Sequence, residues 1–307
     1  MTSSMVKKLQ FNNYKHQWEA AFLLPGERDL VSSAIRELGA YFPALPAQEI
    51  QDTFFQGQHL FAEHWHANAV NPRSEESLCE FYNSSNLEIF ELMYYHHAMW
   101  DQGPLDYVCA LELAKQLGCH SYLDYGSGVG SGAMVFANAG ITTSLCDISS
   151  PLLEFAKWRF ALRGLRATFV DLKTASPRSP VDLITCFEVL EHVRDPLGLL
   201  RKLNSYLRDD GLLIATAPFE KDDLRPMHII HNPRLIQKFR GQGFQHRWDL
   251  RARFKGLLDG QFYVMQKVKR SPLQNKIIAA YDYYIPHPMR IGVNRLKKAL
   301  SASLRSC

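Results

Sequence analysis

The sequence predicts an α/β fold: a parallel sheet with helices on both faces, preceded by a helical cap and followed by a basic tail. Two observations carry this reading. Between residues 119 and 270, short apolar runs ending near Tyr125, Asp147, Asp171, Phe187 and Ala217 alternate with helix-like segments. That is the rhythm of parallel strands joined by crossover helices. The first run leads into SYLDYGSGVGSGAMVFANAG, 121–140, a strand followed by a glycine-rich turn and a small-residue helix.

The elements follow in order. Residues 1–115 form the expected cap region, helical and dense in aromatics: Phe54, Phe55, Phe61, Trp65, Phe81, Tyr82, Phe90, Tyr94, Tyr95 and Trp100. Residues 116–270 form the sheet domain. In it PLLEFAKWRFALRG and PLGLLRKLNSYLRDDG read as helices, the second closed by Gly211. FQHRWDLRARF and QFYVMQKVKR, separated by the short GLLDG turn, read as an antiparallel strand pair at the sheet edge. Residues 271–307 form a basic tail in which Val293, Leu296, Leu300 and Leu304 fall on one helical stripe.

Charge is segregated along the chain. Residues 1–118 hold 7 basic and 15 acidic side chains, 119–270 hold 22 and 15, and 271–307 hold 6 and 1. An acidic N-terminal region can therefore dock on a basic remainder, and the pattern argues against a uniformly basic nucleic-acid binder. A composition 46% apolar and 21% charged excludes disorder as the ground state. No apolar run approaches the ~20 residues needed to span a bilayer, and the first residues lack an apolar signal core. The expected location is the cytoplasm, with a transit peptide as the weaker alternative. Cys79, Cys109, Cys119, Cys146, Cys186 and Cys307 show no CxxC pair, and most sit in apolar stretches as reduced buried thiols do.

The glycine loop is the sharpest feature. Gly126, Gly128 and Gly130 let backbone N–H groups approach a ligand, and the helix that follows favours an anionic group at its start. A dinucleotide fingerprint fits less well, because the spacing is GxGxG and its third position is Ser131. Asp124, two residues ahead of the first glycine, suits a ligand with an amino group better than a pyrophosphate.

At this point the sequence resembles the class I S-adenosylmethionine-dependent methyltransferases. YLDYGSGVG, LCDIS, FVDL, VDLITCFEVLEHV and LRDDGLLIATAP look like that family's ordered strand-end motifs, over roughly 119–268. The resemblance implies a Rossmann-like sheet of seven strands and S-adenosyl-L-methionine as methyl donor. It places Asp147, followed by Ile148, at the ribose hydroxyls and Asp171, with Leu172 packing nearby, at the adenine. Asp124 and the Gly126–Gly130 loop would take the methionine portion, while Tyr125 or Phe187 could meet the sulfonium by cation–π contact. Ordinary packing is the plainer account of both aromatics.

Residues 185–193, TCFEVLEHV, crowd Glu188, Glu191 and His192 beside the expected reaction centre. At i, i+3 and i+4 they would share one face of a helix. Three readings stay open: a dipole-favoured helix start, a general base at His192, or ligands for Mg²⁺, Mn²⁺, Zn²⁺ or Fe²⁺. The ExxEH spacing resembles that of plant small-RNA 2′-O-methyltransferases and ubiquinone-pathway O-methyltransferases, where a further histidine arrives after strand five. PMHIIHNP, 226–233, offers His228 or His231 there, and His228 completes the expected metal set. His64, His66, His96 and His97 read as ordinary helix residues, though one of the last pair could line an acceptor pocket. The expected function is methyl transfer to a small, mostly apolar acceptor, at oxygen. The alternatives are an RNA methyltransferase, supported by the basic stretch Arg225, Arg234, Lys238, Arg240, Arg247, Arg251, Arg253 and Lys255, and a non-catalytic cofactor-binding partner subunit.

Overall fold

Strands form at the apolar runs, and the most apolar of them lie deepest. The computed structural model describes residues 3–99, 104–178, 180–219, 225–254, 257 and 261–284. Helices α1 (Ser3–Phe22), α2 (Leu30–Tyr41), α3 (Ala47–Ala67), α4 (Glu75–Asn83), α5 (Leu87–Ala98) and α6 (Leu105–Gln116) come first. Then follow β1 (Ser121–Tyr125), α7 (Ser131–Asn138), β2 (Thr142–Asp147), α8 (Ser150–Leu162), β3 (Thr168–Asp171) and β4 (Val181–Cys186). After a 3-10 turn at Leu190–His192 come α9 (Pro196–Tyr206), β5 (Leu207–Ala215) and a 3-10 run, Pro233–Gln242. The chain continues through β6 (Phe244–His246), α10 (Trp248–Arg251), β7 (Tyr263–Lys267) and α11 (Pro272–Tyr284).

The strands form one seven-stranded sheet in the order β3-β2-β1-β4-β5-β7-β6. β1 to β5 are parallel, and β7 runs antiparallel to both β5 and β6. β4 is central and buried at every position, as expected for a strand covered on both faces. Its sequence, VDLITC, carries apolar side chains to both sides. Helices α8 and α9 start where Ser149 and Asp195 accept from the N–H groups of Leu152 and Gly198, each with proline in the first turn.

On one face α1, α6 and α7 cover the sheet, joining Trp18, Phe22, Leu111 and Phe136 to Leu183 and Ile214. On the other, α9 and the 233–242 run bring Leu200 and Phe239 against Leu123, Ile184 and Leu213. Helices α2, α3 and α5 meet α8 around Phe54, Phe90 and Phe155. A separate aromatic cluster of Phe61, Trp65, Phe81 and Tyr82 closes on Met227. Most of the cap aromatics are thus packing residues, and Phe55 is half exposed.

Several expectations are corrected. Gly211 does not close α9: the helix stops at Tyr206 and Gly211 lies inside β5, after Asp210 has turned the backbone to φ +62°. Only Phe244–His246 of FQHRWDLRARF pairs with β7, while Trp248–Arg251 coils into a helical turn over which Trp248 stacks on His246. The edge pairing itself is antiparallel as expected. Trp100, Lys255, most of the GLLDG turn, Cys307 and the Val293, Leu296, Leu300, Leu304 stripe lie outside the described residues. Among the described residues, no helix is long and apolar enough to cross a membrane. Cys109, Cys119, Cys146 and Cys186 are buried free thiols, as expected.

The expected docking of acidic N-terminal residues on basic ones is concentrated in a buried charge cluster. Glu37 of α2 accepts from Arg159 Nε of α8 at 2.7 Å and from both terminal nitrogens of Arg163. Glu37 and Arg159 are wholly sealed. Burial alone would raise the Glu37 carboxyl, but the two guanidiniums outweigh it and bring the pKa down to about 2. Its folded pKa lies below the unfolded value, so the stabilisation is complete above about 4.5 and is lost as pH falls from there toward about 2. Glu37→Ala should cost ~3–5 kcal/mol in urea unfolding, because it strands a buried guanidinium. The wild-type chain should lose stability over that acid window, and a variant as stable as wild type would show that the cluster does not tie the cap to the sheet.

Candidate active site

The C-terminal ends of β1, β2 and β4 open into a cavity of about 900 Å³ roofed by α3, α4 and α5. One end is built from the glycine loop and the acid at the end of β2. Gly126, Gly128 and Gly130 all adopt positive φ. A side chain at Gly126 would overlap Val189, and one at Gly128 would lie 2.7 Å from Leu92 of α5. These glycines let β4's exit and the cap close directly on the loop. Asp147 binds the loop from below: Oδ2 accepts from Gly128 N at 2.9 Å and Oδ1 from Ser149 N at 3.0 Å. Burial raises its pKa against these backbone donors. A carboxylate has about four acceptor positions, so Asp147, which faces the cavity, keeps capacity for two hydroxyls.

The other expected cofactor residues divide into two sets. Tyr125, Ile148, Leu172 and Phe187 line the cavity together with Asp147, Gly126 and Gly128. Gly130 starts α7 in the left-handed conformation. Asp124 lies beneath the loop, fully buried, with Oδ1 accepting from Thr185 at 2.8 Å. Burial pushes it up to about 7 despite the hydroxyls of Thr185 and Tyr122. Asp171 stands at the rim, held by Ser150 Oγ at 3.1 Å and by Lys173. Lys173, which the sequence reading did not single out, also donates to Ile148 O at 2.7 Å and Asn83 Oδ1 at 3.0 Å. Asn83 in turn bonds Ile148 O and Ser150 N, and Ser149 Oγ bonds Tyr82 O. The end of α4 is therefore fastened onto the loop after β2.

Of the TCFEVLEHV residues, Glu188 and His192 line the far end of the cavity while Glu191 is buried behind it, and the three do not share one helical face. β4 ends at Cys186 and Glu188 takes φ +52°, a conformation that non-glycine residues seldom adopt. This reversal sends Glu188 one way and the 3-10 turn carrying Glu191 and His192 the other. Glu188 accepts from Thr216 Oγ1 at 3.0 Å and from Arg225 at 3.2 Å. Glu191 is completely buried, and neither carboxylate oxygen has a hydrogen-bond partner among the described residues. Its ligand atom and those of His192 and His228 lie within 4.8 Å of one another. The structure thus brings together three of the four residues expected to hold a metal, and Glu188 stands apart with Arg225.

His192 Nδ1 and Tyr82 Oη are hydrogen-bonded at 2.9 Å, and the His192 and His228 rings sit perpendicular with centroids 4.8 Å apart. Burial, with His228 and Arg225 adding, pushes the His192 imidazole down to about 3. His231 is occupied elsewhere, with Nε2 at 3.0 Å from Val193 O and its ring against Phe219. Glu91 and Tyr95 of α5 face Glu188 and Arg225 across the cavity, with the Arg225 guanidinium over the Tyr95 ring at 5.5 Å. Burial lifts Glu91 to about 7, with Arg225 opposing and Glu188 adding. Of the helix histidines, His96 lines the cavity and is bonded to Ser131 Oγ at 2.9 Å. Glu91 was not singled out from sequence, and Tyr82 and Arg225 were named only as a cap aromatic and as part of the basic stretch, since nothing in the sequence links α4, α5 and the segment after β5 to one another.

The basic stretch after β5 is largely engaged within the protein. Arg240 pairs with Asp282, Arg247 with Asp249, and Arg253 with Gln116.

Comparison with known proteins agrees with this geometry. The family described as "Methyltransferase domain" matches residues 96–254. The ubiquinone biosynthesis O-methyltransferase of Actinobacillus pleuropneumoniae serotype 5b (strain L20) is 36% identical over 117 residues, 36% of this chain and 49% of the relative. The tRNA 5-carboxymethoxyuridine methyltransferase of Escherichia coli (strain K12) is 35% identical over 97 residues, 30% of this chain and 37% of the relative. The chain spans about half the length of the curated relatives it matches. The solved structure of PigF with SAH shares the fold, with a TM-score of 0.50 at 17% identity over 81% of this chain and 76% of that one. With the family match spanning half the sequence, over the glycine loop, Asp147 and the β4 exit, the chain belongs to the class I S-adenosylmethionine-dependent methyltransferases.

Proposed function

We propose that this chain moves the methyl group of S-adenosylmethionine to an oxygen of a small-molecule acceptor held under the α3–α5 cap. One observation carries the reading: a single cavity joins the glycine loop and Asp147 at one end to Glu91, Glu188, His192 and His228 at the other. When bound, the cofactor supplies an electrophilic methyl carbon on a sulfonium. The protein then has to align the acceptor and take its proton. Asp147 holds the ribose hydroxyls, and the glycine loop carries the methionine portion. The acceptor packs among Phe61, Tyr95, Tyr107 and Phe187, aromatics that line the same space. The acceptor oxygen would be aligned there with the methyl carbon that the cofactor supplies, and the Glu91 carboxylate would take the proton that the oxygen gives up.

Glu191, His192 and His228 suit a divalent cation. The orphaned Glu191 oxygens call for a cationic partner, and the His192 and His228 imidazoles complete an N/O donor set. With Nδ1–H donating to Tyr82 Oη, His192 keeps Nε2 as a ligand, the outer hydrogen bond that metal-binding histidines ordinarily have. A cation there would supply a Lewis acid beside the acceptor. The relative from Actinobacillus pleuropneumoniae is an O-methyltransferase, which is in keeping with an oxygen acceptor. Arg240, Arg247 and Arg253 each already hold a partner within the chain, which favours the small molecule over RNA.

Three measurements bear on this. Isothermal titration should show S-adenosylhomocysteine binding that Asp147→Ala weakens by about 1.5–3 kcal/mol; folded protein that binds none would end the proposal. With a phenolic or catechol acceptor panel, kcat/KM should fall as pH drops below about 7, where Glu91 takes a proton. Glu91→Gln should lower the rate and abolish that fall; an unchanged profile would remove Glu91 as the base. Activity should be lost in EDTA and return with Mg²⁺, Mn²⁺ or Zn²⁺, and His228→Ala should weaken metal binding and turnover together. Full activity in chelator would restrict the cluster to a structural role.

A further inference from the structure

We infer that Glu88, on the first turn of α5, is a second acidic ligand for the cofactor's ribose hydroxyls, facing Asp147 from the cap side of the cavity. The inference rests on the cofactor reading proposed above and adds the cap to it. Glu88 lines the same cavity as Asp147, Gly126 and Gly128. Its Oε2 is shut off from solvent and meets no hydrogen-bond partner among the described residues. An acid in the first turn of a helix is favoured by the helix dipole, but that accounts for an exposed carboxylate and not for a sealed oxygen lacking a donor. A buried polar atom left without a partner is costly, and because the Glu88 side chain also lines the ligand cavity, a modest turn of its carboxyl group would bring that oxygen to an arriving hydroxyl.

The position of α5 selects the ribose. The end of α4, immediately before Glu88, is fastened to the loop after Asp147 through Asn83 and the Tyr82 carbonyl. One turn further, Leu92 rests on Gly128, whose N–H is the one Asp147 holds. Glu88 and Leu92 therefore ride on the same structure that presents Asp147. Burial, with Asp147 and Glu91 adding, pushes the Glu88 carboxyl well above its ordinary range. A carboxyl group pairs with a hydroxyl in either protonation state, donating when neutral and accepting when charged. A ribose diol between two carboxyl groups leaves neither of them unpaired.

The test uses the full chain, with calorimetric titration and thermal melting of wild type, Glu88→Met and Glu88→Gln. Glu88→Met should weaken S-adenosylhomocysteine and adenosine by the same factor, roughly tenfold, while Glu88→Gln keeps most of the affinity. For whichever of 2′-deoxyadenosine and 3′-deoxyadenosine lacks the hydroxyl that meets Glu88, wild type and Glu88→Met should bind alike. The ligand-free Glu88→Met protein should melt no lower than wild type, because an unpaired oxygen has been removed. If that variant does not fold, Glu88→Ala is read in the same way. Unchanged binding of S-adenosylhomocysteine by Glu88→Met would overturn the inference, as would a loss confined to S-adenosylhomocysteine with adenosine unaffected. Wild-type protein that binds neither ligand would instead defeat the underlying cofactor reading, whereas binding weakened by Asp147→Ala but not by Glu88→Met would defeat this inference alone.

Discussion

Arg159 is sealed inside the protein, and its guanidinium is tolerable there only because Glu37 meets Nε at 2.7 Å from another helix. Removing two charges from water costs several kcal/mol each before their attraction is counted. Neither side chain can be buried without the other, so α2 and α8 must come together. The remaining donors of Arg159 then fix parts of the active site: one nitrogen bonds Val129 O at 3.0 Å and Ser131 Oγ at 2.9 Å. Val129 and Ser131 flank Gly130 in the glycine loop. The cluster that seals the cap thus also positions the loop from behind.

From the front the same loop is held by Asp147 at Gly128 N and covered by Leu92 of α5. Ser131 Oγ is shared between Arg159 and His96 of α5. Cap and sheet are therefore joined through the cofactor loop by hydrogen bonds and close packing, and the cavity lies inside that joint. A cavity enclosed in this way is poorly solvated, which strengthens each charge that faces it. It also explains why the acidic groups at the far end are so displaced from their ordinary pKa values: Glu91, Glu188 and Glu191 share a poorly solvated space with Arg225 as their nearby cation.

One wall of the cavity was legible because its residues sit at strand ends, where contiguous sequence sets direction. That Asp147, Ile148, Leu172 and Phe187 face one space followed from the strand rhythm and the ordered motifs. The far end resisted because it is assembled across the chain. Tyr82 reaches His192 over 110 positions, and no local pattern encodes that meeting. Glu188 was misdirected for a different reason. A glutamate at i, i+3 from another acid reads as helical, yet the exit of β4 turns left-handed there, a choice made by the packing of Val189 against Gly126 and not by propensity. Arg159, within FAKWRF, looks like any solvated helix arginine until α2 is laid over it. The edge pair β6–β7 was legible from its strand-like runs, whereas the coil at Trp248–Arg251 was not.

The central claim is that donor and acceptor meet in the one cavity between cap and sheet. A crystal structure of the full chain grown with S-adenosylhomocysteine and Mn²⁺, with anomalous data at the manganese edge, tests it most directly. The account predicts the ribose against Asp147, the thioether sulfur directed toward the space between Glu91 and His192, and an anomalous peak among Glu191, His192 and His228. S-adenosylhomocysteine density anywhere outside this cavity would contradict it, and a manganese peak only at the surface would confine the contradiction to the metal.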